Sequence, residues 1–451
     1  MAGERWSSGT GFLLATMGSA IGLGSIWKFP YEAGANGGGS FVVPYLFGLA
    51  IIVVPLVLAE FAIGRAGRSN AVESIKRLAV AARRSSGWRV VGGLGIVTGF
   101  LILSFYAVIG GWALAYSFDS LVSGGGEASA AAAQGRFDAL LASPFRVLGF
   151  HFTFMAATAL VVAAGIETGI EAASRVLMPV LFVMIAALAC YSLVVGDAPA
   201  ALRFLFAIDA ARWHPRAWLD ALGLGFFSIG VGLGSMITYA AYAGAEVNLR
   251  KVAVITVVGD TTVSFLAGLA IFPLVFKYGL DPAGGPGLMF VTLPVAFAQM
   301  PFGGVLGFAF YLLLVLSALA SAISLLELSV AWLMARGMSR ASGAALAGVA
   351  CGLSGVPTVL SFNRWAQWHP LAGWPGLARS TVFDLLDFAT SDVLLPLGGL
   401  GVALFAGWFM PRHLIGRELG LSGAGLLILV LALRFVAPGL IVVAVLAPWI
   451  F

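Results

Sequence analysis

Long apolar runs separated by short polar stretches dominate the chain. The runs are continuous, whereas the strands of a transmembrane β-barrel alternate between apolar and polar positions. Each run is long enough to cross a bilayer as a helix. The pattern therefore predicts an all-α polytopic membrane protein of about 11 transmembrane helices. These eleven apolar segments lie near residues 11–35, 41–64, 90–118, 147–165, 172–196, 218–243, 253–276, 302–335, 342–361, 382–410 and 423–450.

The first segment is interrupted by glycines near its middle. It contains Gly18, Gly22 and Gly24, and Lys28 and Pro30 follow within two turns. Glycine leaves the helix at little cost and frees backbone N–H and C=O groups. In hydrocarbon such groups need partners, so a broken helix survives where it lines a buried site or a watery cavity. Taken alone, this segment leaves open a second interpretation, a helix-packing face built on Gly18 and Gly22.

The sixth segment is also interrupted by glycines, which occupy every second position at Gly230, Gly232 and Gly234. Two interrupted segments five apart indicate a 5+5 inverted repeat with broken helices 1 and 6 and a site near the middle of the membrane. We therefore favour a binding site over simple packing. The predicted parts of this single transporter domain, residues 1–451, are a first repeat at about 11–196, a second at about 218–410 and an extra helix at about 423–450.

The composition agrees with a membrane protein. Hydrophobic residues make up 60% of the chain and charged residues 10%, which excludes a soluble globular domain. The net charge of +5 comes from loop lysines and arginines, so no nucleic-acid partner is predicted. Cys190 and Cys351 lie in apolar runs, which predicts reduced packing residues. The four histidines are scattered without a catalytic spacing, so the chain is not expected to be an enzyme.

The basic residues also predict the orientation of the segments. Seven lysines and arginines occupy the stretch that follows the second segment, which marks this loop as cytoplasmic. The loops that contain Arg250, Arg336 and Arg412 then fall on the same side. The N-terminus is therefore predicted in the cytoplasm and the C-terminus outside.

Several motifs occur together in an order typical of one family. They are Gly18–Pro30 with Asn36–Ser40, Pro55 with Glu60 and Gly64-Arg65, Tyr106 with Trp112, the sixth-segment glycine motif, Asp260 with Ser264, Ser317–Ser321, and Asp384 with Asp387. Through them the chain resembles the bacterial neurotransmitter:sodium symporters, which are amino-acid:sodium symporters with the leucine-transporter fold. The resemblance runs from Trp6 through the tenth segment and implies a multi-pass protein of the bacterial inner membrane, surrounded by lipid.

The resemblance implies a substrate site between segments 1, 3, 6 and 8. The amides around Leu23 and Gly24 and the hydroxyl of Tyr106 would bind the carboxylate of an amino acid. The carbonyls that would accept from its ammonium group are those of Ala20, Phe227 and Ser228.

The resemblance also implies an apolar pocket for the side chain of the substrate. Gly230 stands where many members have a hydroxyl residue, and Leu233 where some have phenylalanine. Both changes leave room, which favours a neutral, bulky hydrophobic or aromatic L-amino acid. The lining residues would be Ile102, Phe227, Leu233 and Leu325, with Ser321 at the edge.

The family resemblance places a first sodium site beside the substrate. Its ligands would be the carbonyl of Ala20, the side chains of Ser25, Ser228 and Asp260, and the substrate carboxylate. A carboxylate inside a membrane span is expensive unless it meets a cation or a proton. Asp260 would supply the negative charge that many relatives take from chloride, so we expect chloride independence. Ser264 argues the other way, because chloride-independent relatives often have a glutamate there.

A second sodium site would use the carbonyls of Gly18, Ile21 and Ser317 and the hydroxyl of Ser321. Ala320 stands where the family normally has a threonine hydroxyl, so one oxygen is missing. The cofactor is therefore expected to be Na⁺, with one or two ions bound.

Three further expectations concern residues around the site. Lys28 and Asp387 resemble the outer gate, although lysine lacks the bidentate fork of the usual arginine. The usual cytoplasmic Arg–Asp latch is absent, because Gly3 and Ala335 occupy those positions. Glu60 is expected to be structural and to accept N–H groups of the broken backbone.

The leading hypothesis is sodium-coupled symport of an amino acid by alternating access. Ligands drive such a cycle only through different affinities for its two states. Two alternatives stay open, a proton-coupled amino-acid transporter with Asp260 as the proton site and an amino-acid receptor that does not transport. Uptake in sodium-free buffer under a pH gradient separates proton coupling from sodium coupling. The oligomeric state is not predicted.

Overall fold

The computed structural model describes residues 4–123, 126–127, 129–209, 215–283, 287–374 and 376–450, so that Gly3 lies outside it. Within these ranges the chain forms helices and no strand. The helices are α1 (Gly9–Ala20), α2 (Gly24–Ala35), α3 (Gly39–Gly67), α4 (Ala71–Ala81), α5 (Ser86–Val122), α6 (Ala130–Leu141), α7 (Pro144–Ala163), α8 (Ile166–Val195), α9 (Ala198–Phe206), α10 (Pro215–Ile229), α11 (Ser235–Ala241), α12 (Leu249–Lys277), α13 (Leu288–Ala298), α14 (Gly303–Met334), α15 (Arg340–Ser361), α16 (Val382–Phe409), α17 (Arg412–Leu419) and α18 (Gly423–Leu446).

Nine of the described helices are long and apolar enough to cross a membrane, namely α3, α5, α7, α8, α12, α14, α15, α16 and α18. Helices α1 and α2 pass the same test as a pair, with a bend of 48° between them. The sixth predicted segment is divided into α10 and α11, of 15 and 7 residues, each shorter than a span. The prediction of an all-α membrane protein is confirmed, and the count of eleven spans stays a prediction.

The first interruption lies between α1 and α2. The helix ends at Ala20, and Ile21 has an extended conformation with ψ of 95°. A side chain at Gly22 would collide with the hydroxyl groups of Ser321 and Tyr106. Glycine is therefore needed here because α5 and α14 approach the backbone closely. The contact is made by two cavity hydroxyl groups, so it is more specific than a general helix-packing motif.

The second interruption is made by conformation as well as by packing. Gly230, Gly232 and Gly234 have φ angles of +70°, +90° and +78°, in the left-handed region that glycine adopts without strain. A side chain on Gly232 would also collide with the backbone of Leu395 and Gly399 in α16. Both interruptions predicted from the glycine pattern are therefore confirmed.

Helices α5 and α14 form the centre of the bundle and pack against each other more extensively than any other pair. In the most apolar stretch of each, 67% and 78% of the residues are buried, compared with 28% in α8 and 33% in α18. Helix α1 packs on α8, α12 and α14, and α11 packs on α3. Both interruptions therefore lie in the interior of the bundle, between α12 and the central helices α5 and α14.

A short helix outside the spans, α17, is attached to the end of α3. The Arg65 guanidinium forms an ion pair with Glu418 of α17 at 2.8 Å. The same side chain donates to the carbonyl of Val247, 2.7 Å away, in the loop before α12. The loops after the second, sixth and tenth segments thus meet at one end of the molecule, as the distribution of basic residues predicts.

Candidate functional site

The two interruptions open onto one cavity between α1, α5, α10, α11 and α14. Ten of the eleven residues that the family resemblance assigned to the substrate line this cavity. Leu23 does not line the cavity, but its amide is hydrogen-bonded to Tyr106, which does. The shared lining residues are Ala20, Gly24, Ile102, Tyr106, Phe227, Ser228, Gly230, Leu233, Ser321 and Leu325.

The carboxylate-binding groups expected from the sequence lie together. The amide of Leu23, freed by the end of α1, donates to the hydroxyl oxygen of Tyr106 at 3.0 Å. Because that oxygen accepts the amide, the hydroxyl proton stays available for a second acceptor in the cavity. The backbone break and the tyrosine therefore form one unit that can donate to an anion.

A carboxylate surrounded by hydroxyl groups lies at the same depth. Asp260 of α12 is 0% exposed and accepts from Ser25, beside the first interruption. The hydroxyl of Ser228, beside the second interruption, lies 2.9 Å from both of its carboxylate oxygens. The Tyr45 hydroxyl donates to it at 3.4 Å and lies 3.5 Å from the hydroxyl of Ser264. Asp260 thus connects both broken helices from inside the bundle.

The chemistry of this cluster suits a small hard cation. None of the ion pairs among the described residues includes Asp260, so its charge has no fixed cationic partner. Hydroxyl, carbonyl and carboxylate oxygens are the donors used for Na⁺ in broken-helix sites. The described residues contain no group of three or more His, Cys, Asp or Glu side chains suited to a metal ion. The donor set fits Na⁺ and not a transition metal.

The residues predicted for a second sodium site also lie together. The Ser321 hydroxyl donates to the carbonyl of Gly18 at 3.2 Å. Ala320 faces the same backbone and presents a methyl group, since a side chain on Gly18 would lie 3.4 Å from its Cβ. The buried hydroxyl of Ser317 has no hydrogen-bond partner within the described part of the chain. This unpaired oxygen is one that the sequence reasoning overlooked, because it assigned only the carbonyl of Ser317.

The predicted outer gate is unpaired in this conformation. The Lys28 ammonium group lies 4.6 Å from the centre of the Phe227 ring, which favours a cation–π contact. Asp387 accepts a hydrogen bond from Ser391 at 2.8 Å. Of the ion pairs found in the described ranges, none joins Lys28 to Asp387. Their pairing as a gate stays a prediction.

Glu60 contacts the second interruption from α3. Its Oε1 accepts from the amide of Gly232 at 2.6 Å, and its side chain is fully buried. This is the kind of contact expected for a residue that supports the broken backbone without touching the cavity.

Besides Gly22, which the sequence indicated only as part of the helix break, four cavity residues were missed by the sequence reasoning. Ser19 donates to the hydroxyl of Ser324 at 2.9 Å, and Ser324 donates to the carbonyl of Ser321 at 2.8 Å. These hydroxyl groups make part of the cavity lining polar. The only signal in the sequence was a serine within an apolar segment, and such serines are too common to single out. The missed residues are Ser19, Ser235, Ser324 and Leu395.

The end of the bundle where Glu4 and Arg340 lie has an ionic network that the sequence reasoning also missed. Arg340, at the start of α15, donates to Glu4 at 2.5 Å and to Glu327 of α14 at 2.7 Å. Glu327 is 0% exposed and also accepts from the Tyr242 hydroxyl at 2.9 Å. Ala335, which the family resemblance assigned to a latch position, contributes no polar side chain. The sequence did contain a signal for this network. Glu327 is a carboxylate inside an apolar segment, and such residues almost always have a partner.

The same network attaches the N-terminal segment Glu4–Ser8 to three helices. The Trp6 indole donates to the carbonyl of Tyr239 in α11 at 2.9 Å. The Ser7 amide and hydroxyl donate to Glu171 of α8 at 2.7 and 2.6 Å. With Arg340, these contacts hold the segment against the same end of the bundle.

Known proteins resemble this chain along most of its length. The model of the Sodium:neurotransmitter symporter family matches residues 3–125 and 148–342. A sodium-dependent transporter of Bacillus subtilis is 38% identical over 407 residues, covering 89% of this chain and 87% of that protein. One of Haemophilus influenzae is 30% identical over 419 residues, covering 90% and 89%. The crystal structure of MhsT in complex with L-phenylalanine is 42% identical and has a TM-score of 0.90, covering 98% of this chain and 99% of that one.

These likenesses extend over both broken helices and the cavity between them. The family model covers more than half of the chain, and the relatives are named as sodium-dependent transporters. The arrangement of helices described above is similar to that of MhsT. This chain is a membrane transporter and not an enzyme, and it belongs to the sodium:neurotransmitter symporter family.

Proposed function

We propose that this transporter carries a neutral, hydrophobic or aromatic L-amino acid together with Na⁺, by alternating access and without chloride. The observation that carries the proposal is the position of Asp260 at the junction of the two broken helices. Its buried charge has hydroxyl partners only, so a mobile cation stabilises it best. A substrate carboxylate bound at Tyr106 would share that cation, which couples the two ligands.

The cavity lining supports a hydrophobic substrate. The lining is divided between apolar side chains, those of Ile102, Phe227, Leu233 and Leu325, and the hydroxyl groups of Tyr106 and several serines. Such a division matches an amino acid, whose backbone is charged and whose side chain is apolar. The structure of MhsT with L-phenylalanine makes phenylalanine a suitable first candidate.

The number of sodium ions is proposed to be two. The first ion would be held by Ala20, Ser25, Ser228 and Asp260, and the second by Gly18, Ile21, Ser317 and Ser321. The Ser317 hydroxyl, which has no other partner in the described structure, would replace the oxygen lost at Ala320. Substitution of Ser317 by alanine should then weaken the sodium dependence without removing it.

The proposed cycle uses the two ends of the molecule in turn. Lys28 and Asp387 would close the outer side over the occupied site, and the network around Arg340 would open the inner side. The two repeats, at about 11–196 and 218–410, would move against each other. In the proposed orientation, which the basic loops support, the N-terminus would lie in the cytoplasm and the C-terminus outside a bacterial inner membrane.

The test is uptake by purified protein in liposomes. Radiolabelled L-phenylalanine should accumulate under an inward sodium gradient, with chloride or with gluconate as the anion. A potassium gradient is the control. Accumulation in sodium-free buffer under a pH gradient would instead assign a proton-coupled transporter, and sodium-dependent binding without accumulation would assign a receptor.

A further inference from the structure

One hydroxyl group of the residues that line the central cavity has no hydrogen-bond partner. The lining residues with hydroxyl groups are Tyr106, Ser19, Ser228, Ser235, Ser321 and Ser324. All of these hydroxyl groups except that of Ser235 are hydrogen-bonded within the chain. Ser235 is 2% exposed, and its buried Oγ has no partner among the described residues. Its hydrogen-bonding capacity is therefore unused until a molecule enters the cavity.

The chemistry of Ser235 limits what this molecule can be. Buried polar groups in folded proteins are nearly always hydrogen-bonded, because an unpaired one lowers stability. Ser235 is the first residue of α11 and follows directly after the second interruption. Its hydroxyl group can donate one hydrogen bond and accept others, and it carries no charge. It therefore suits a neutral polar group and not the charged end of an amino acid.

The two central helices, α5 and α14, give a scale for depth in the cavity. A side chain on Gly22 would collide with the hydroxyl groups of both Tyr106 and Ser321, so these two lie at one depth. Seven residues before Tyr106 on α5 is Gly99, and a side chain there would collide with Leu328. Leu328 is seven residues after Ser321 on α14. The two helices therefore run antiparallel, and a step towards Gly99 has the same direction as a step towards Leu328.

Part of the apolar lining lies one turn away from the carboxylate-binding groups in this direction. On α5, Ile102 lies four residues before Tyr106, which is about 6 Å along the helix. On α14, Leu325 lies four residues after Ser321, which is the same distance in the same direction. The side chain of an amino acid whose carboxylate is held at Tyr106 would therefore extend towards Ile102 and Leu325.

Ser235 lies beyond this apolar part of the cavity. Leu233, two positions before it, has its carbonyl against α5, where a side chain on Gly95 would collide with it. Gly95 is seven residues beyond Ile102, on the side away from Tyr106. The order along the cavity is therefore Tyr106, the apolar lining and then Ser235, so that only a long side chain reaches from one end to the other.

We propose that Ser235 is a specificity-determining residue that hydrogen-bonds a polar group at the far end of a long aromatic side chain. The proposal rests on the function proposed above and narrows the substrate to tyrosine before phenylalanine. A phenol hydroxyl can both donate to and accept from a serine hydroxyl. With phenylalanine the Ser235 hydroxyl stays buried and unpaired, and a site built in this way disfavours the analogue that lacks the polar group.

The experiment is sodium-dependent binding of L-tyrosine, L-phenylalanine and the para-methyl analogue of L-phenylalanine to purified, full-length protein. The para-methyl group has about the size of the hydroxyl group but forms no hydrogen bond. Tyrosine should bind the parent roughly tenfold more tightly than either of the other two. Ser235→Ala should remove this preference by weakening the binding of tyrosine alone. Equal affinities of the parent for tyrosine and the para-methyl analogue would overturn the proposal.

The matched control is Ser192→Ala. Ser192 of α8 also has a buried hydroxyl group without a partner in the described part of the chain, but it does not line the cavity. This variant should keep the preference of the parent for tyrosine, and its loss here as well would overturn the assignment to Ser235. The comparison of the three ligands on the parent needs no variant, so it decides the question even if Ser235→Ala folds poorly.

The outcomes also separate this proposal from the function on which it rests. If all three ligands bind with sodium and with equal affinity, the role of Ser235 is wrong and the proposed function stands. If none of the three ligands shows sodium-dependent binding, both are wrong.

Discussion

Asp260 and Glu327 are both fully buried carboxylates inside membrane helices, and their partners differ. Asp260 lies among the hydroxyl groups of Ser25, Ser228 and Tyr45 and has no cationic side chain. Glu327 is held by the Arg340 guanidinium and the Tyr242 hydroxyl. The Arg340 cation is part of the chain and forms a structural ion pair with Glu327. The hydroxyl groups around Asp260 stabilise its charge while a dissolved cation can bind and dissociate. The same chemical group would therefore support ion binding at the centre of the bundle and closure at the end where Arg340 lies.

The difference has an energetic reason. Leaving a charge buried and unpaired costs several kcal/mol, so each carboxylate needs a positive partner in at least one state of the transport cycle. At Glu327 that partner is part of the chain and leaves only when the network opens. At Asp260 it would be sodium, so binding and release of the ion change the stability of the broken helices directly.

The largest effect is expected for Asp260→Asn, which removes the charge at the centre. Sodium affinity at this site should fall roughly a thousandfold, corresponding to about 4 kcal/mol. Sodium-driven uptake in liposomes should then fall to background, or become dependent on added chloride. Asp138→Asn, which changes a carboxylate of α6 far from the cavity, is the matched control. Normal uptake at every chloride concentration would remove Asp260 from the ion site.

Arg340→Gln should have the next largest effect, because it leaves Glu327 buried without its cation. The expected loss is about 3 kcal/mol of unfolding free energy in the closed state, measured as a lower thermal unfolding temperature. The double variant with Glu327→Gln should recover much of this loss, since neither charge is then left alone. If the double variant is as unstable as the sum of the two single changes, the two residues do not interact.

Tyr106→Phe tests the other half of the central site. It removes the hydroxyl that accepts from Leu23 and would donate to the substrate carboxylate. Substrate affinity should fall roughly tenfold, while sodium binding in the absence of substrate changes little. Tyr116→Phe is the control, because it is buried in the same helix and donates to the carbonyl of Phe290. Equal losses in both variants would indicate a general packing effect.

Lys28→Gln should give the smallest effect of the four. It removes the cation from the face of Phe227, a contact of about 0.5–1 kcal/mol, so substrate dissociation should accelerate only about two- to fivefold. Lys277→Gln, which removes a similar contact with Tyr278 outside the cavity, provides the control. No change in the dissociation rate of Lys28→Gln would exclude the residue from the outer gate.

The sequence by itself determined the class of fold and the position of both interruptions. Apolar runs of this length are typical of membrane-spanning helices and not of the helices of soluble proteins. Gly22, Gly230, Gly232 and Gly234 stand where the backbone leaves the helix. Family motifs then indicated most of the cavity lining, because backbone breaks and a central tyrosine are local features that a sequence preserves. The likeness to a transporter family confirmed the family and the class of fold.

Only the tertiary structure decided which distant groups become partners. The contacts of Asp260 with both breaks and of Arg340 with Glu4 and Glu327 join residues far apart in the chain. Periodicity and composition carry no information about such pairs, because they depend on how the helices are rotated and at what depth they cross. For this reason the sequence indicated where charges were unusual, and the fold determined which of them are neutralised within the chain and which need a ligand.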